Sequence, residues 1–181
     1  MHIDEVRNAQ TRARVMLEAA GIALTPQERK NIEVADFGLG RLEQIGLQIV
    51  VYVNTERCCA KELVMFPGQI CPEHRHPALP DYPGKEETFR CRVGEVYLYL
   101  PGEVSDSPKG KLPPGKEPTA MVWHEIILRP GEQYTLPPDT LHWFQAGPEG
   151  AILSEFSTKN VDEADIFTEP AIVRRPTVEG A

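Results

Sequence analysis

Three histidines and one glutamate have the types and spacing to hold a metal ion. His74 and His76 stand two residues apart, so on a strand both imidazoles leave the same face. Glu87 opens a strand-like run that Gly94 ends in a turn. Far downstream, His142 follows Pro137-Pro138-Asp139-Thr140-Leu141, a turn leading into another strand. Antiparallel neighbours in a closed β body bring these three places together. Imidazole and carboxylate suit Mn, Fe, Co, Ni or Zn, and the donor set alone does not choose among them. Four protein ligands in a six-coordinate shell leave two positions, where a substrate chelates through two adjacent oxygens. Glu86 competes for the carboxylate role, but it faces away from Glu87 on a regular strand, and the distance to Gly94 favours Glu87. His124 reads as an ordinary strand histidine, and Trp143 and Phe144 as core or cavity wall.

The elements that must position these residues are mostly short strands. Val6, Ala9, Ala13, Met16 and Ala20 repeat at helical spacing, with Gly21 as the stop. Thr25-Pro26-Gln27-Glu28 predicts a capped second helix, with Pro at the first helical position and Glu at the third. From about residue 46 the texture becomes β-rich runs separated by Pro and Gly. The runs are Gln48–Val53, Glu62–Phe66, Glu87–Val93, Glu95–Leu100, Met121–Leu128, Gln133–Leu136, His142–Ala146 and Ile152–Phe156. Residues 101–118 read as a long surface loop, and 175–181 as a loose tail. The expected organisation is one domain over 1–181: a helical N-terminal appendage over 1–45, a β-barrel body over 46–174, and the tail.

Composition bounds the rest. The 181 residues suffice for one buried core, and 17 prolines suit strands and loops better than a helical bundle. A net charge of -8 without basic clusters weighs against nucleic acid and anionic membranes as partners. No apolar stretch is long enough to span a bilayer, and the polar start does not resemble a secretory signal, so a cytoplasmic protein is expected. The four cysteines, Cys58, Cys59, Cys71 and Cys91, lack zinc-site spacing and read as reduced thiols.

A lone His-x-His pair means little. Here it sits in a frame: Gly68, five residues, His74-Arg75-His76, then Glu87, six residues, Gly94. A second frame runs Gly131, five residues, Pro137, then His142. The two resemble the paired motifs of the cupin superfamily, which implies an all-β double-stranded β-helix, a jelly-roll barrel. Two departures stand out. The gap from His76 to Glu87 is long, and Asp139 replaces the usual glycine after the second-motif proline. Asp tolerates left-handed backbone angles, so the turn survives.

The long gap carries a narrower resemblance. His74-Arg75-His76-Pro77, Gly84-Lys85-Glu86-Glu87-Thr88-Phe89, Val96-Tyr97-Leu98-Tyr99 and the stretch from Gly131 to His142 are similar to the D-lyxose isomerases among cupins. The resemblance covers most of the chain. It implies aldose–ketose isomerisation of D-lyxose to D-xylulose, with one divalent metal, usually Mn2+, on His74, His76, Glu87 and His142. Zn2+, Fe2+, Co2+ and Ni2+ suit the same donors. It also implies that Lys85 stands beside the sugar. Glu155 is the first candidate for the acid–base carboxylate. Asp165 and Glu169 are further candidates for substrate contact, although a solvated acidic loop would explain both. A homodimer is expected. The rivals are a cupin dioxygenase, a phosphosugar isomerase using Arg90 and Arg92, and a non-catalytic sugar-binding cupin.

Overall fold

A computed structural model describes residues 1–115 and 119–180. Residues 116–118, the end of the expected long loop, and Ala181 at the end of the expected tail lie outside them. Helix α1 (Ile3–Ala19) and helix α2 (Pro26–Lys30) open the chain. The Thr25 hydroxyl accepts from the Glu28 backbone, and the Glu28 carboxylate accepts from the Thr25 backbone, completing the expected capping box. Strands follow: β1 (Glu33–Ala35), β2 (Leu47–Asn54), β3 (Cys59–Met65), β4 (Ile70–Arg75), β5 (Glu87–Leu100), β6 (His124–Leu128), β7 (Gln133–Leu136), β8 (His142–Ser157) and β9 (Ile166–Phe167). The fold is all-β, one curled antiparallel sheet with helices at its N-terminal end.

β8 is the spine of the sheet. Its first half lies between β4 and the end of β5; its second half lies between β3 and the start of β5. Inward-facing Leu47, Ile49, Leu63, Cys71, Phe89, Phe144 and Leu153 form the main core. α1 buries Ala13 and Leu17 against Val50, Val64 and Ile152 on the outer face. Each fully buried aliphatic side chain of this kind contributes about 1.5–3 kcal/mol.

Several boundaries differ from the sequence reading. The runs Glu87–Val93 and Glu95–Leu100 are one strand, as are His142–Ala146 and Ile152–Phe156. Gly94 therefore does not end a strand. It sits at φ 75° inside β5, where a Cβ would lie 2.1 Å from the Gly150 carbonyl oxygen on β8. Glycine at this crossing lets both strands bend without parting. The segment 1–45 is not wholly helical, because β1 lies within it and pairs with β2. The Met121–Leu128 run becomes strand only at His124, since the Met121 and Val122 amides donate to the Glu73 carboxylate instead. The tail is tied down rather than loose: Ile3 N–H donates to the Glu179 carbonyl at 2.9 Å and Glu179 N–H to the Met1 carbonyl at 3.0 Å. Among the described residues, no helix is long and apolar enough to cross a membrane.

Gly94→Ala combines backbone strain with a steric clash. It is expected to cost about 2 kcal/mol or more and to lower the thermal midpoint by roughly 4–8 °C. An unchanged melting curve would contradict the close β5–β8 crossing.

Candidate metal centre

Strand register builds the site. His74 on β4 is paired directly with His142 on β8. β4 ends at Arg75, so His76 lies one residue past the strand. Its ring nevertheless converges with that of His74, centroid to centroid 4.9 Å, and the His74 and His142 centroids are 4.3 Å apart. Glu87, the first residue of β5, faces inward and is 2% exposed, whereas Glu86 is exposed to solvent. Two backbone features hold this corner. Gly84 adopts φ 98° with His76 O only 2.8 Å from where a Cβ would lie, so the insertion closes tightly onto the histidine segment. Asp139 takes φ 59°, and its carboxylate accepts from Arg75 at 2.5 Å. The turn survives without the usual glycine.

Each imidazole has its Nδ1 occupied. His74 Nδ1 lies 2.8 Å from the Pro72 carbonyl oxygen, His142 Nδ1 2.9 Å from that of Thr140, and His76 Nδ1 2.5 Å from the Asp165 carboxylate. These acceptors hold the proton on Nδ1 and aim the Nε2 lone pairs inward. His76 Nε2 and His142 Nε2 each stand 3.2 Å from Glu87 Oε1. All three atoms are buried and none has an aligned hydrogen bond. His74, His76 and His142 present ligand atoms within 4.8 Å of one another. Buried polar atoms are rarely left unpaired, and an inward cluster of imidazole and carboxylate donors fits a divalent cation.

The electrostatics agree. Burial pushes the His74 imidazole well below its usual pKa, and the His142 and His76 rings add to the effect. Burial likewise lowers His142. Burial works against the charged form of His76 too, but the Glu87 charge and the Asp165 hydrogen bond reverse it, raising that imidazole to about 9. The extra proton falls on Nε2, facing Glu87 Oε1 at 3.2 Å, where a bound cation would replace it and leave the lone pair as a ligand.

Beside the histidines runs a chain of buried charges. Lys85 Nζ reaches Glu87 Oε2 and Glu155 Oε1, each at 2.7 Å. Lys61 Nζ stands 3.6 Å from the same Glu155 oxygen. Burial opposes ionisation of both carboxylates. Lys85 nevertheless holds Glu87 well below the usual carboxylate range, and Lys85 with Lys61 holds Glu155 low. Lys85 is raised in turn, because Glu155 and Glu87 outweigh its own burial. These groups line one cavity with Phe89, Phe144, Asn160, Asp162, Asp165 and Arg174.

The structure thus brings together His74, His76, Glu87, His142, Lys85, Glu155 and Asp165. Asp165 lines the cavity and also holds His76 Nδ1, so it orients that ring. Glu169 stands elsewhere, lining a second cavity with Glu73 and Trp143. Arg90 and Arg92 are exposed and do not line the first cavity. His124 Nδ1 donates to the Glu103 carbonyl oxygen at 3.0 Å, away from the site. Phe144 is cavity wall, while Trp143 stacks on Tyr99 at 3.9 Å in a separate cluster. Sequence reasoning missed Lys61, Asn160, Asp162 and Arg174. Strand alternation with Leu63 and Met65 on one face would have found Lys61. Asn160 and Arg174 sit on irregular backbone and Asp162 opens a three-residue 3₁₀ helix, Asp162–Ala164, neither of which carries such a signal.

A curled all-β body with a buried three-histidine cluster and an adjoining charged cavity defines the class: a small β-barrel protein with a site suited to metal and small molecule. Relatives narrow it. The D-lyxose isomerase family model matches residues 104–181. The chain is 62% identical over 173 residues to the D-lyxose ketol-isomerase of Thermofilum sp., covering 96% of each. It is 61% identical over 175 residues to the D-lyxose/D-mannose isomerase of Thermosediminibacter oceani, covering 97% of each. Among solved structures, Cellulomonas parahominis L-ribose isomerase shares the fold, with TM-score 0.79 at 19% identity over 94% of both chains. The chain belongs to the D-lyxose isomerase family and is a sugar aldose–ketose isomerase.

Asp165→Ala removes the acceptor that orients His76. It is expected to weaken divalent-metal binding roughly 10–100-fold, measured by competition with a fluorescent chelator. Unchanged affinity would take Asp165 out of this role.

Proposed function

We propose that the chain interconverts D-lyxose and D-xylulose at one divalent metal, Mn2+, held by His74, His76, Glu87 and His142. The observation that carries this is the set of unpartnered Nε2 and Oε1 atoms at one end of the cavity, beside the Lys85–Glu155 pair. Relatives named for D-lyxose, and one named for D-mannose as well, support a pentose or a hexose with the same carbons at its reacting end. Four free cysteines fit the reducing conditions of the cytoplasm. Exposed Val53 and Phe156, both in register with Ala60, offer an apolar patch for a homodimer.

Turning an aldose into a ketose moves a proton from C2 to C1 and redistributes protons on O1 and O2. A bound divalent metal polarises the carbonyl and stabilises charge developing on those oxygens. The remaining steps fall to the chain. Glu155 is held ionised, and its Oε1 is occupied by Lys85 and by the Ser157 hydroxyl at 3.2 Å. Its Oε2 carries no hydrogen bond among the described residues, so this atom takes the C2 proton and returns it to C1. Lys85 uses two N–H groups to hold Glu87 and Glu155 apart at fixed distance. Its third is free to donate to a sugar oxygen. Phe89 and Phe144 wall the cavity and limit water.

Purified protein loaded with Mn2+ is expected to convert D-lyxose to D-xylulose, and turnover in D2O to place deuterium at C1 of the ketose. Absence of any aldose turnover by fully metallated protein would defeat the isomerase reading; an unchanged kcat in Glu155→Gln would remove Glu155 as proton carrier. Lys85→Ala is expected to keep its metal, by elemental analysis, and to lose about 10²–10⁴-fold in kcat. Normal kinetics would refute its role.

A further inference from the structure

Lys61 is an unusual lysine. It is 5% exposed, lies on β3 in register with Glu155 on β8, and lines the cavity. Its one ion-pair contact among the described residues is Glu155 Oε1 at 3.6 Å, too long for a hydrogen bond. No hydrogen bond to its ammonium exists among the described residues. A buried ammonium has three donors to satisfy, and leaving them unspent is costly. Lys85 differs, because it spends two donors at 2.7 Å on two carboxylates. Lys61 thus brings unspent donor capacity into the cavity.

Its place decides what it reads. The charges follow one another as Glu87, Lys85, Glu155, Lys61. Lys61 makes no ion pair with Glu87 and lies beyond Glu155 from the histidine end. With O1 and O2 of an aldose at that end, and C1 and C2 beside Glu155, the next oxygen along the chain is O3. We propose that Lys61 is the specificity-determining residue that donates a hydrogen bond to the C3 hydroxyl of the sugar, a role that rests on the isomerase reading above. A site that presents a buried donor to one hydroxyl disfavours the epimer that moves it and the analogue that lacks it, because the donor is then left unpaired. The nearby Glu155 oxygen helps by fixing the ammonium, while the 3.6 Å separation leaves the ligand oxygen as its shorter partner.

The test compares D-lyxose with D-arabinose, its C3 epimer, in Mn2+-loaded protein. In Lys61→Met, kcat/KM for D-lyxose is expected to fall roughly 10- to 100-fold, the range for one charge-assisted hydrogen bond, mainly through KM. The D-arabinose value should fall clearly less, since it loses only the support that Lys61 lends to Glu155, so the ratio of the two drops while metal content stays unchanged. An equal fall for both sugars through kcat would mean that Lys61 acts only by way of Glu155, and would overturn the proposal. So would an unaltered ratio. The unmodified protein gives an independent reading, whatever the folding of the variant. The 3-deoxy analogue of D-lyxose should be turned over less efficiently by a similar factor, and equal efficiency would overturn the proposal. Unmodified protein that turns over no aldose removes the isomerase reading and this proposal together; normal turnover with an unaltered ratio in Lys61→Met removes the proposal alone.

Discussion

Three imidazoles with their outer nitrogens tied to carbonyl or carboxylate oxygens can only point their inner nitrogens at one another. That constraint governs the site. His76 Nε2, His142 Nε2 and Glu87 Oε1 meet in a buried space without a hydrogen bond. Each such atom costs about 1–3 kcal/mol while unpaired. The protein bears this cost because a cation there would satisfy all the donors at once. The outer partners come from three different places: Pro72 within β4, Thr140 before β8, and Asp165 before β9. The centre therefore depends on the whole curl of the sheet rather than on one segment.

The sheet in turn depends on two long strands that stay paired while they bend. β5 and β8 run together from Glu87 opposite Ser157 to Tyr99 opposite Trp143, with register shifts around Val93 and Gly94. The bend lets one strand give Glu87 to the histidine corner, while the other gives His142 to that corner and Glu155 to the adjoining cavity. The charges between them are balanced locally. Lys85 bridges Glu87 and Glu155, so the two negative groups sit near each other without either taking up a proton. Burial strengthens both ion pairs, because the low local dielectric screens them little.

Much of this was legible in the sequence where local pattern and tertiary role coincide. The His74-Arg75-His76 spacing, the inward parity of Glu87 and the capping box at Thr25 are all local facts, and the structure keeps them. Asp139 was readable because a left-handed turn residue has few alternatives. What stayed hidden was set by long-range contact. Gly94 looks like a turn in sequence; only the approach of Gly150 shows it as a bend within a strand. The hold of Asp165 on His76 was not legible, because an acidic loop carries no mark of which imidazole it will orient. Glu169, four residues on, has the same chemistry but lines another cavity. Asp162 joins the cavity from a single 3₁₀ turn and Arg174 from irregular backbone, where no periodicity announces a facing direction.

The central claim is that four named atoms converge on one metal ion. Anomalous diffraction at the manganese edge from crystals of Mn2+-loaded protein tests it most directly. One peak per chain is expected, within bonding distance of the Nε2 atoms of His74, His76 and His142 and of Glu87 Oε1. A peak that excludes Glu87, or one lying in the cavity beside Glu73 and Glu169, would contradict it, as would the absence of any ordered ion.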